Sequence, residues 1–160
     1  MAAFEIVYRH FEQPLLSLGL RMLGKQQDAE DALQTTFLKF YRSLRKFQLE
    51  SKVGTYLFRI MTNACFDQLA NRRRSKRDTG RHSENSHSPT DELRLQLEDA
   101  IQSLPQRTRA CFVMFAVQDI KQSEIAEILG IKIGTVKAHI FEAKTQLRAL
   151  MADAQNEVRP

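Results

Sequence analysis

Between Asn71 and Glu92 the chain runs for 22 residues, NRRRSKRDTGRHSENSHSPTDE, without a hydrophobic side chain. A stretch with no apolar face to bury cannot join a packed core. It therefore splits the 160-residue chain into two parts, each small enough to bury a lower share of its surface than a larger domain does. The stretch reads as a flexible polar linker with a basic start. Residues 72–81 hold Arg72, Arg73, Arg74, Lys76, Arg77 and Arg81 against Asp78, a local excess of +5 that equals the formal charge of the whole chain. The positive field is thus local, and the modestly basic balance, pI ≈ 9.4, points to a polyanionic partner. Ser88-Pro89-Thr90-Asp91 closes the stretch as a helix start, with a serine cap, proline in the first position and an acid in the third.

Both flanks read as helix, which makes the expected fold all-α: two small helical bundles joined by the linker. Phe4, Val7, Phe11, Leu15, Leu18 and Met22 recur at three- and four-residue spacing, with Pro14 expected to kink or restart this helix and Gly24 to end it. Asp28 is the expected cap of a second helix with the stripe Leu33, Phe37, Phe40, Tyr41 and Leu44. A third carries Leu57, Ile60, Met61, Ala64, Cys65 and Leu69. Past the linker, Leu93, Leu97, Ile101 and Leu104 make one helix, and Pro105 opens another with Cys111, Phe112, Met114, Phe115 and Val117. No alternating strand pattern and no internal repeat stands out.

Residues 122–147, QSEIAEILGIKIGTVKAHIFEAKTQL, fit a helix-turn-helix. Ile125 and Leu129 place apolar groups on a first helix, and Ala126 leaves room for a close crossing. Gly130 stands where the chain must turn through a left-handed conformation. A second helix follows from about Gly134, with Val136, Ile140, Ala143 and Leu147 facing inward. Its other face shows Thr135, Lys137, His139, Glu142 and Lys144, groups able to reach base edges and phosphates in a major groove. An ordinary amphipathic hairpin is the plain alternative.

Other function classes find little support. No apolar run near 18 residues and no leader pattern is visible, so neither a membrane span nor a secretory signal is expected. Cys65 and Cys111 lack CxxC spacing and suit a reducing cytoplasm as small core residues rather than redox switches. His10, His82, His87 and His139 form no cluster at metal-ligand spacing. No phosphate loop, metal site or nucleophile-base pair suggests an enzyme, and no cofactor or small-molecule substrate is expected.

Two blocks of residues add a resemblance. Asp28-Ala29-Glu30-Asp31 with Gln34, Thr36, Phe37, Leu38 and Tyr41, then Phe47, Tyr56-Leu57, Ile60, Asn63, Asp67 and Arg72-Arg73, resemble region 2 of the extracytoplasmic-function sigma factors of bacterial RNA polymerase. Leu104-Pro105 and SEIAEILGIKIGTVKAHIFEAKTQL resemble their region 4. The resemblance implies a region 2 over 1–74, a linker over 75–92, a region 4 over 93–152 and a tail over 153–160. It implies binding to the polymerase core, mainly its β′ and β subunits, through Asp31, Gln34, Phe37 and Leu38. Asp28 is expected mainly to favour the helix N-terminus by its charge. The loop from Phe47 to Tyr56 is implied to hold the melted −10 strand. Contacts to the −10 element and the adjoining backbone fall to Lys52, Thr55, Tyr56, Arg59, Asn63, Arg72, Arg73 and Arg74, with Asp67 orienting nearby arginines. The −35 element falls to Thr135, Lys137, Ala138, His139, Glu142 and Lys144. Promoter DNA and an anti-sigma factor are the further implied partners, in the cytoplasm and without membrane insertion. The chain departs from the family at three points: Tyr56 stands where tryptophan is usual, Lys132 where serine often caps the recognition helix, and His139 where arginine is common. Core packing is the open alternative for Tyr56, a solvated charge run for the arginines. An autonomous helix-turn-helix regulator is the competing function.

Overall fold

The computed structural model describes residues 2–44, 46, 52–75 and 89–158, and every regular element among them is α-helical. In order these are α1 (Ala2–Leu23), α2 (Gln26–Ser43), α3 (Val53–Ser75), α4 (Pro89–Ser103), α5 (Gln106–Ala116), α6 (Gln122–Leu129) and α7 (Ile133–Val158). The all-α expectation holds, with α1–α3 as the first unit and α4–α7 as the second. The loop at Phe47–Ser51, the basic residues after Ser75 and the cap at Ser88 lie outside the described residues.

The first unit forms because three apolar stripes meet along one seam. Leu15, Leu18 and Met22 of α1 pack with Phe37 and Phe40 of α2 and with Leu57, Met61 and Cys65 of α3, all at most 7% exposed. Gly19 sits at the tightest crossing, where an added Cβ would lie 2.6 Å from the Met61 side chain. This packing explains why α1 runs unbroken through Pro14 instead of restarting there. A proline inside a helix costs about 3 kcal/mol. Burial of the four apolar side chains Leu15, Leu18, Met22 and Leu23 that follow it returns about 1.5–3 kcal/mol each. Asp28 does not cap α2. That position is held by Lys25, which makes no side-chain cap bond. Asp28 sits in the first turn, where its carboxylate pairs with Arg72 of α3 and its carbonyl oxygen accepts from Gln68 Nε2 at 2.9 Å.

In the second unit Ile125 and Ile128 of α6 meet Val136, Ile140, Ala143 and Leu147 of α7 over Ala110, Val113 and Met114 of α5. Ile128 takes the buried place beside Ile125, and Leu129 is half-buried. Gly130 adopts φ +66° and the Ile131 N–H donates back to the Ala126 carbonyl at 3.1 Å, a left-handed helix stop that glycine enters without a Cβ penalty. The expected stripes are only partly buried. Tyr41, Leu44, Leu93 and Leu97 remain at least 40% exposed, because the packed faces of α2 and α4 end before reaching them.

The two units are packed against each other, and the joint is the C-terminus of α1. A helix leaves its last carbonyls without intrahelical donors, and they form the negative end of its dipole. Here each is claimed by a side chain. The Arg21 carbonyl accepts from Gln102, the Met22 carbonyl from Arg109 and the Leu23 carbonyl from Arg72 at 2.7 Å. Two of these three donors belong to the second unit. Arg109 also donates to the carbonyls of Gln102 at 2.7 Å and Leu104 at 3.0 Å and is only 7% exposed. Burial, and after it the charge of Arg72, pulls its pKa below the usual guanidinium range. Replacing Arg109 by methionine leaves three carbonyls short of a donor, at about 1–3 kcal/mol per unsatisfied buried group. A thermal melt of Arg109→Met should drop by roughly 10 °C. A drop below about 3 °C would show that the joint does not depend on this side chain.

Candidate functional site

Three surfaces collect the expected site residues. The first is an apolar groove of about 560 Å³ between α1 and α2, lined by Phe4, Tyr8, Leu33, Gln34, Phe37, Leu38 and Tyr41. Asp31, Gln34 and Leu38 recur at three- and four-residue spacing, so they share one exposed face of α2. Phe37 is 5% exposed and forms the floor, whereas Leu38 is 55% exposed on the rim. The Phe4 and Tyr8 rings pack on Phe37 at centroid distances of 6.2 and 4.6 Å. The Tyr8 hydroxyl reaches Glu12 at 3.3 Å, and burial followed by the Glu12 charge raises its pKa. The sequence marks Phe4 and Tyr41 only as core or family-pattern residues and does not single out Tyr8. An apolar groove rimmed by polar groups marks a protein contact.

The second surface is a face of α3. Lys52, Tyr56, Arg59 and Asn63 share helical spacing; Lys52, Arg59 and Asn63 are exposed and Tyr56 is half-buried. This face does not stand free. Thr55, 2% exposed, lies 3.3 Å from a Glu124 carboxylate oxygen, and Arg59 donates to the Glu127 carbonyl at 2.8 Å. Helix α6 of the second unit thus leans on it. The Tyr56 ring packs 6.2 Å from that of Phe40, in line with the core-packing alternative. The arginines at the end of α3 divide: Arg72 is held by Asp28 and the end of α1, Arg73 donates to Gln106 at 2.6 Å, and Arg74 is exposed. Asp67, expected to orient arginines, is exposed and forms no ion pair among the described residues. Asp28 takes that part for Arg72.

The third surface is the outer face of α7. Thr135, Lys137, Ala138, Glu142 and Lys144 are exposed there, above the buried Val136, Ile140, Ala143 and Leu147. His139 is half-buried, and its Nδ1 lies 3.0 Å from the Thr108 hydroxyl. That bond fixes the ring and leaves Nε2 as the atom for an outside contact. Glu142 accepts from Gln146 at 3.0 Å, and the Lys144 ammonium sits 5.4 Å above the Phe115 ring, an attraction that draws it toward α5.

Comparison with known proteins agrees with this layout. Residues 7–75 match the family described as Sigma-70 region 2, and residues 94–147 match Sigma-70, region 4. The chain is 30% identical to the ECF RNA polymerase sigma factor SigM of Mycobacterium tuberculosis, covering 93% of this chain and 77% of SigM. It belongs to the ECF sigma factors. SigE of Mycolicibacterium smegmatis is 32% identical over 96% of this chain, which spans 63% of SigE, and SigW of Bacillus subtilis is 29% identical with 94% and 90% covered. The fold is also that of two solved structures: the sigma factor RpoE of Bartonella quintana, crystallised with the anti-sigma factor NepR (TM-score 0.80, 23% identity, 95% of this chain and 98% of that one), and CnrH in complex with the cytosolic domain of CnrY (TM-score 0.76, 22% identity, 95% and 89%). The region 2 match leaves the autonomous regulator without support.

In this sigma factor, no helix among the described residues is long and apolar enough to cross a membrane, and none of their His, Cys, Asp and Glu groups cluster to hold a metal. Both cysteines are buried. Burial pushes the Cys65 thiol up to about 12 and the Cys111 thiol up to about 11. Thiolate is the reactive form, so neither is set up as a redox switch. The unfolded chain loses these protons near the ordinary value of 9.0 while the folded chain keeps them. Stability is full below that pH and falls as pH rises above it, by up to about 1.4 kcal/mol per unit for each thiol. Iodoacetamide at pH 8 should leave both thiols unmodified in native protein and alkylate both in denaturant. Fast native alkylation of either would show it to be accessible.

Proposed function

We propose that this sigma factor binds the polymerase core through the α1–α2 groove, reads the −10 element with α3 and the −35 element with the outer face of α7, and so directs initiation without catalysing a reaction itself. It does this where polymerase and chromosome meet, in the cytoplasm. The observation that carries the reading is the exposed groove in the unit matching region 2, where Leu38 and Tyr41 stand over half in solvent beside Asp31 and Gln34. Apolar area supplies affinity, and the carboxylate and amide supply register against a basic and polar partner helix. By likeness to the NepR- and CnrY-bound proteins, an anti-sigma factor is the proposed inhibitor.

Reading both elements requires the two units to part. The elements lie about 25 base pairs apart, roughly 85 Å of B-form duplex at 3.4 Å per pair. A packed chain of 160 residues is only about 40 Å across. The 14 steps from Ser75 to Pro89, at about 3.4 Å each, reach at most ~50 Å, so parted units can span the two elements whereas the packed molecule cannot. The contacts of Thr55 and Arg59 with α6 must also break before α3 meets DNA. Core binding spends part of its free energy on that opening, and once both units are anchored the second DNA contact gains from high effective concentration.

Two outcomes check the reading. Gln34→Ala with Leu38→Ala should weaken association with purified core at least tenfold, about 1.4 kcal/mol, while the melting temperature holds. Unchanged affinity would remove the groove from the polymerase interface. His139→Ala should relax base preference at one or two positions of the −35 element by about 1–3 kcal/mol, scored by binding of holoenzyme to a randomised promoter library. An identical preference profile would place His139 away from the bases.

A further inference from the structure

Where the ends of α3 and α4 meet the start of α5, a second cleft of about 560 Å³ opens between the two units. Arg72, Arg73, Arg107 and Arg109 line it together with Gln102 and Gln106, and among the described residues no carboxylate does. Part of this charge is answered. Asp28 pairs with Arg72, and the end of α1, which receives Arg72 and Arg109, carries about half a negative charge. Against that, α5 starts at the cleft with no side-chain cap on Pro105 and no acid in its first turn, adding about half a positive charge. Roughly three positive charges are left over.

The arginines are not accounted for by the joint alone. Capping α1 uses Gln102, Arg109 and Arg72, but neither Arg73 nor Arg107. Among the described residues those two meet neutral groups: Arg73 the amide of Gln106 at 2.6 Å, and Arg107 the face of Phe66 at 5.4 Å. Arg109 is 7% exposed, touches carbonyls rather than a carboxylate, and its buried Nε has no acceptor. A buried cation without a counter-charge is costly, and guanidinium forks match phosphate geometry.

We propose that this cleft binds an oligophosphate anion, which bridges Arg72 and Arg73 of the first unit to Arg107 and the α5 N-terminus of the second. Its size falls in the range of small-molecule sites, about 300–1,000 Å³, and exceeds what one phosphate fills. Both walls exist only while the units are packed, so the anion binds the packed arrangement and stabilises it in proportion to its concentration. The inference is separate from promoter reading and is tested without polymerase or DNA.

The experiment is titration calorimetry of the full chain with inorganic triphosphate, against sulfate at matched ionic strength. Triphosphate should bind at least ten times more tightly than sulfate. Arg73→Gln with Arg107→Gln should lose at least tenfold in triphosphate affinity with an unchanged melting curve, both side chains being exposed. Arg94→Gln with Arg148→Gln removes the same charge from exposed positions off the cleft and should lose less than twofold. ATP run in parallel identifies the source: tighter binding than triphosphate points to a nucleotide, equal binding to a bare oligophosphate, and both support the site. The proposal is overturned if sulfate and triphosphate bind alike, if the two double variants behave alike, or if only duplex DNA binding responds to the cleft substitutions.

Discussion

The arrangement of the molecule rests on how the last turn of α1 is capped. Three carbonyls that the helix cannot satisfy by itself are met by Gln102, Arg109 and Arg72, and two of those donors come from the other unit. A buried guanidinium in contact with three carbonyls acts as a fastener. While it is in place the surfaces of α3 and α6 are apposed, and Thr55 and Arg59 are occupied by Glu124 and the Glu127 carbonyl. These polar fasteners sit beside buried apolar side chains of both units that run together in one cluster, and movement between domains of one chain is the default expectation unless the interface is large and hydrophobic. A partner offering a few kilocalories of differential binding can shift such an equilibrium.

The surfaces fall into two kinds under that constraint. The α1–α2 groove and the outer face of α7 are open in the packed molecule. The α3 face is partly covered, at Thr55 and Arg59. Under the function proposed above, a free chain of this shape displays its groove for polymerase while part of its −10 surface is engaged by α6, so polymerase would be met before the promoter is melted. The expense of opening is drawn from core binding, so it weakens apparent affinity by the fraction of time the chain spends open.

Much of this was legible in the sequence, and the reasons are local. The Val136, Ile140, Ala143, Leu147 spacing named the buried face of α7, and Gly130 its turn, because helical period and left-handed glycine are set by a few neighbouring residues. Gln34 and Leu38 were legible through the family pattern, and the structure adds Phe4 and Tyr8 across the groove from another helix. What sequence could not show was long-range pairing. Arg72 read as one of three DNA-facing arginines, yet it binds Asp28 and the Leu23 carbonyl. Asp67, five residues before it in sequence, looked the better partner, and among the described residues it forms no ion pair. Arg109 gave no signal at all, since a single arginine between Thr108 and Ala110 in an amphipathic helix has no pattern that marks it as buried. Pro14 is a similar case: local propensity allows a kink or a restart, and packing of α1 against α2 and α3 keeps the helix continuous.

The end of α1 holds the two units together, and under the proposed function polymerase and promoter part them. Fluorescence energy transfer between dyes at the exposed positions Gln13 of α1 and Arg148 of α7 measures this directly. The two native thiols are buried and do not compete with cysteines introduced at those positions for the dyes. The account predicts one high-transfer population for the free chain, a shift to low transfer on addition of core polymerase with promoter DNA, and a partial shift in free Arg109→Met. A free chain already at low transfer, or no change in transfer on forming the promoter complex, would contradict it.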